Sequence, residues 1–165
     1  MKKLFILTSL IIISCTKQNN DSQSPLDFIY TPTSLDNFVM GNNENTMIVQ
    51  EIHKAINDKD FEKAYTYMSN DITMNNADGS TVEGLENFKK AINQAYSDAT
   101  FSNYEVFVNI SLVAKSNDTE WVILWDKVDI TDSSGNTISE NYQEAFRIKN
   151  GKVDFINQFS KPDIN

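Results

Sequence analysis

The chain has 165 residues and a formal net charge of −9, with 23 acidic residues against 14 lysines and arginines and a single cysteine. That length supports one domain with a real core. The acidity argues against nucleic-acid binding and against electrostatic docking on anionic lipid, since both need clustered Lys and Arg.

The first residues, MKKLFILTSLIIIS, put two lysines ahead of an apolar run broken only by Thr8 and Ser9, and a small side chain just before Cys15. A positive start, a short apolar stretch and a small residue at the cut make a secretory signal over residues 1–14. About 10 apolar residues are too few to cross a hydrocarbon core of ~30 Å as a helix. Ile12, Ile13, Ser14 and Cys15 resemble the lipobox of bacterial lipoproteins, in which the cysteine thiol takes a diacylglyceryl group and becomes the first residue of the mature chain. The resemblance implies a lipid-anchored protein of the bacterial cell envelope, on the periplasmic side or the cell surface, with membrane contact through the lipid on Cys15. A thioether at Cys15 rules out disulfides, a thiol nucleophile and thiolate metal ligands together. Removing residues 1–14 takes away Lys2 and Lys3 and no acids, so the formal charge moves from −9 to −11.

Residues 15–45 read as the lipidated cysteine and a flexible tether, rich in Asn, Ser, Asp, Gln and Thr and without a sustained period. Two islands, LDFIY and LDNFVM, interrupt it and are expected to dock on the domain surface. The domain is expected over residues 46–160. Ile48, Ile52, Ala55 and Ile56 recur at helical spacing, and Asp60 caps a second helix carrying Phe61, Ala64, Tyr65 and Met68 on one face. DITMNNADGSTVEG predicts two short extended pieces turning at Asp78 and Gly79. A third helix starts near Gly84, with Leu85, Phe88, Ile92, Ala95 and Tyr96 as its buried stripe.

The remainder predicts strands over 104–115, 119–131, 137–149 and 152–159, with a hairpin at DSSGN and another at Asn150 and Gly151. Several are apolar on both faces, and such a sheet needs cover on both sides. The helices cover one side. A second copy of the chain is expected to cover the other, making a homodimer.

The segments IVQEIHKAINDKDFEKAYTYMSNDITM, VEGLENFKKAI and EAFRIKNGKV, in that order, resemble the nuclear transport factor 2-like superfamily, which includes SnoaL-like polyketide cyclases, ketosteroid isomerases and plain binding proteins. The resemblance implies an α+β fold: three N-terminal helices packed in the concave face of a strongly curved, mainly antiparallel sheet, a cone with a pocket at its open end. Function in such folds lives in the pocket residues. Ketosteroid isomerases need a carboxylate base and proton donors in a dry cavity. Carried onto this chain, the first-helix donor position falls at Ile52 and the base position at or next to Asn76, neither of which can do that work. A slip there would bring in Asp78. Glu144, three residues before Arg147, matches the late-strand acid.

Other chemistry finds little footing. His53 is the only histidine and reads as a surface or partly buried structural residue at the domain edge; with no second histidine and no free thiol, no zinc site is expected. No G-x-S-x-G elbow exists, DITDSSGN lacks the EF-hand spacing, and no cofactor is expected. The pocket candidates are Trp121, Trp125, Tyr142, Glu144, Phe146 and Asn157, because ligand sites are mostly apolar with a few placed polar groups. Core packing uses the same residue types, so both readings stay open. Glu144, flanked by Tyr142 and Phe146, would have its pKa raised if its strand face is buried. Two functions follow: a non-catalytic binding or accessory lipoprotein with a pocket for a hydrophobic small molecule or a protein partner, or a SnoaL-like enzyme (isomerase, cyclase or dehydratase) with Glu144, Asp71 or Asp78 as acid/base.

Overall fold

A computed structural model describes residues 29–30 and 37–163. The expected signal segment, Cys15 and most of the expected tether lie outside the described residues. The elements run β1 (Phe38–Met40), α1 (Asn43–Asn57), α2 (Phe61–Thr66), β2 (Met68–Asn75), β3 (Thr81–Glu83), α3 (Leu85–Tyr96), β4 (Thr100–Ala114), β5 (Thr119–Thr131), β6 (Thr137–Lys149) and β7 (Lys152–Pro162).

Local chemistry explains the helix boundaries. The Asn42 side chain accepts the Glu44 N–H at 3.0 Å to open α1, and Asp60 accepts the Lys63 N–H at 3.2 Å to open α2; each occupies a donor that a helix start leaves orphaned. α2 is shorter than its apolar spacing predicts. It ends at Thr66, so Met68 enters the core as the first residue of β2. The domain also begins before residue 46. Phe38–Met40, from the LDNFVM island, pair antiparallel with Leu112–Ala114 as an edge strand.

The seven strands form one curved, unclosed sheet in the order β1-β4-β5-β6-β7-β2-β3, antiparallel throughout except for the parallel β2–β7 pair. The β6–β7 hairpin turns at Asn150 and Gly151, both at positive φ (53° and 71°), as a two-residue turn of that type requires. Two register shifts in β4, between Ser102 and Glu105 and between Val106 and Val108, increase local bend and twist. The concave face packs on the helices through Val49, Ile52, Tyr65, Phe88, Leu124 and Phe146, among others. Burying each such side chain contributes about 1.5–3 kcal/mol. Among the described residues, no helix is long and apolar enough to cross a membrane.

Candidate functional site

Val49, Ile52, His53 and Ile56 stand at i, i+3, i+4 and i+7 on α1, one face of the helix. That spacing turns His53 onto the sheet. On β5 the even positions Val122, Leu124, Asp126 and Val128 are buried, and on β6 Glu144, Phe146 and Ile148 are buried. Because Leu124 pairs with Glu144 and Asp126 with Tyr142, Asp126 and Glu144 are diagonal neighbours on the concave face.

His53 reaches between them. Its Nδ1 lies 3.5 Å from Asp126 Oδ2 and its Nε2 3.2 Å from Glu144 Oε2. The imidazole is held by two aromatic rings: Tyr104 of β4 stacks on it at 5.8 Å and 18°, and Phe146 meets it edge-on at 5.8 Å and 82°. Gln158 of β7 donates to Glu144 Oε1 at 2.9 Å. The carboxylates are deeply buried, Asp126 1% and Glu144 5% exposed. Beyond these approaches of His53, and the Tyr104 hydroxyl beside Asp126, neither Asp126 oxygen nor Glu144 Oε2 has a well-formed hydrogen bond among the described residues.

Burial and charge set the proton affinities. Burial pushes Asp126 up to about 6, against the pull of His53 and with the push of Glu144. For His53 burial works downward, but the attraction of Glu144 and Asp126 outweighs it and raises the imidazole above its ordinary 6.5. Burial raises the phenols of Tyr104, Tyr142 and Tyr96, so all three remain neutral hydroxyl groups at physiological pH.

The triad sits at one end of a cavity walled by residues such as Ile52, Met74, Phe88, Ile92, Phe101 and Tyr142, with no lysine or arginine in its lining among the described residues. The cavity is about 80 Å³. Drug-sized ligand sites run to roughly 300–1,000 Å³, so this shape admits a small molecule and not a fused-ring steroid.

Of the pocket candidates, Tyr142, Glu144 and Phe146 line the cavity. Trp121, Trp125 and Asn157 do not. The odd positions of β5 face outward, where Trp121 meets Phe155 edge-on at 6.1 Å and Trp125 is 42% exposed; Asn157 pairs with Ala145, also on the odd, outer parity. Asp71 is exposed and bonded by the Ser69 hydroxyl, and Asp78 accepts the Ser80 N–H at 2.8 Å in the β2–β3 turn; neither lines the cavity. His53 is partly buried, its side chain 16% exposed, and it stands between two acids that a lone histidine gave no sign of. Asp126 and Tyr104 were not singled out by sequence reasoning. The available signal for Asp126 was an acid in the middle of an apolar alternation.

His53, Asp126 and Glu144 each offer an atom within 4.8 Å of the others, so they form the one candidate metal cluster among the described residues, which a single histidine did not suggest. Yet the two carboxylates address opposite nitrogens of one ring, and those lone-pair directions diverge. An ion on either nitrogen would turn away from the other acid. The arrangement is that of one imidazole ring with each nitrogen turned to a different carboxyl group.

No protein-family model and no curated protein matches the sequence. Solved structures do match the fold. An LEH-like epoxide hydrolase from M. tuberculosis superposes with a TM-score of 0.60 at 12% identity, covering 72% of this chain and 84% of that one. SalBIII, an epoxide hydrolase/cyclase-like enzyme with a role in pyran ring formation in polyether salinomycin, gives 0.59 at 17% identity, covering 72% and 92%. An NTF2-like protein from Burkholderia xenovorans LB400 gives 0.56 at 16%, covering 74% and 93%. The chain has the cone-shaped α+β fold of nuclear transport factor 2-like proteins.

Proposed function

We propose that this chain is a non-catalytic binding or accessory lipoprotein of the bacterial envelope that holds a small, largely apolar molecule by one polar end in the cone. One observation carries the reading: Asp126 is buried in the lining of an apolar, aromatic-walled cavity, with His53 Nδ1 at 3.5 Å as its ion partner and no well-formed hydrogen bond on either oxygen. Buried polar groups are ordinarily paired within the protein, and an open acceptor facing a cavity is what a bound molecule would satisfy. The test is solvent extraction and mass spectrometry of the full chain purified from its native membrane. A small molecule is expected at near-stoichiometric yield and is expected to be lost in Ile92→Trp, which fills the cavity. An empty wild-type chain, or equal recovery from both, overturns the reading.

A second reading is favoured by the proton affinities. A carboxyl at about 6 beside a raised imidazole is poised for proton transfer near neutral pH, which suits a SnoaL-like acid/base enzyme with Asp126 as the base. Turnover of a substrate by wild type and its loss in Asp126→Asn would select it over simple binding.

The anchor belongs to the same proposal. Two or more acyl chains on Cys15 would hold the domain stably on a membrane, at about 0.8 kcal/mol per buried CH₂. Cys15→Ser is therefore expected to move the chain from the membrane to the soluble fraction of the export compartment. Equal membrane partition of mutant and wild type would refute the lipid. A second copy of the chain is the proposed cover for the outer sheet face, where Phe107, Trp125 and Phe159 stand exposed. Light scattering of the solubilised chain should give a dimer mass; a monomer mass at every concentration rules the dimer out.

A further inference from the structure

The charges of the cavity do not balance. Asp126 and Glu144 are acids, His53 supplies one cation, and no lysine or arginine lines the cavity among the described residues. With His53 protonated, one negative charge remains, in a place that water barely reaches. An unpaired buried charge is among the most costly features a fold can retain. The under-satisfied carboxylate atoms are also of one kind: Asp126 Oδ1 and Oδ2 and Glu144 Oε2 only accept, and the one histidine between them and the Tyr104 hydroxyl beside Asp126 leave further acceptor capacity on them.

We infer that the ligand is a small organic cation, a primary or secondary amine on an apolar ring or short chain, whose ammonium group sits against Asp126. The inference rests on the small-molecule reading above and gives that molecule its chemistry. An ammonium supplies both missing quantities, a positive charge and several N–H donors. The rings of Phe101, Tyr104 and Tyr142 in the lining present faces that attract a cation. The rest of the wall, Ile52, Met74 and Ile92 among it, matches an apolar body. A neutral alcohol would donate one hydrogen bond and leave the charge standing. A carboxylate ligand would add a second uncompensated charge. A hard metal ion would want six or more oxygens, which this apolar wall does not offer.

The experiment is calorimetric titration at pH 7.5 of the full chain carrying Cys15→Ser with three probes of one shape: benzylamine, benzyl alcohol and benzoate. Benzylamine should bind tighter than benzyl alcohol by roughly tenfold or more, the scale of a charge-assisted hydrogen bond, and benzoate should not bind. Asp126→Asn should erase the preference for benzylamine over benzyl alcohol; Glu144→Gln should reduce it. Equal binding of benzylamine and benzyl alcohol overturns the cation and leaves the small-molecule reading intact. Failure of all three probes counts against both. Zn²⁺ or Mn²⁺ binding that displaces benzylamine and disappears in Asp126→Asn would make the triad a metal site and overturn the inference.

Discussion

Replacing His53 by alanine should lower the unfolding free energy by about 3–5 kcal/mol at pH 6.5, the usual cost of removing one partner from a buried ion-paired group. The reason is what stays behind. Asp126 and Glu144, both almost fully buried, would face each other as diagonal neighbours with no cation between them. That loss is a large part of the roughly 5–15 kcal/mol that a domain possesses. The sign with pH is also set. In the wild type the His53 imidazole has a raised pKa in the folded state, so its stabilisation is complete below 6.5 and is lost as pH rises through that raised value. The gap between mutant and wild type should therefore be wide at pH 6.5 and narrow as pH rises through the raised His53 value. Urea unfolding of both proteins at several pH values measures it. A mutant within 1 kcal/mol of wild type at pH 6.5 would mean that the acids do not depend on His53.

Asp126→Asn should act in the opposite direction. The Asp126 carboxyl rises from 3.8 to about 6 on folding, a difference worth about 3 kcal/mol. A raised folded value means that the stabilising contribution is complete below 3.8 and is lost as pH rises to about 6. Above that, the fold carries an ionised, buried carboxylate at a net cost. Asparagine removes the ionisation and also some of the attraction for His53, so the expected gain at pH 7.5 is about 1–3 kcal/mol, shrinking towards zero at pH 4. A substitution that stabilises the fold and erases the preference for a cationic ligand would mark Asp126 as a residue retained for function at the expense of stability. Destabilisation at pH 7.5 would instead make Asp126 a structural partner of His53, and the ligand argument would lose its main support.

Glu144 was readable in advance because it lies between Tyr142 and Phe146 on one strand face and aligns with a known late-strand acid. His53 was readable in part. Its spacing from Val49, Ile52 and Ile56 places it on the buried face of α1, but a lone histidine beside an apolar stripe gives no sign of its partners. Trp121 and Trp125 misled because β5 is apolar on both faces, and a strand with two apolar faces does not say which parity is inside. Tyr104 could not be assigned at all, since the register shifts of β4 break the alternation from which a face would be read.

The helix start at Asp60, the turn at Asn150 and Gly151, and the succession of three helices and long strands were written in the sequence by itself, because capping, turn conformation and periodicity arise between residues close along the chain. The triad was not. His53, Asp126 and Glu144 meet only because α1 crosses the sheet at one place and β5 and β6 pair in one register. Both are set by how large apolar faces pack together, and the charge left unbalanced in the cavity exists only once that packing has shut out the water.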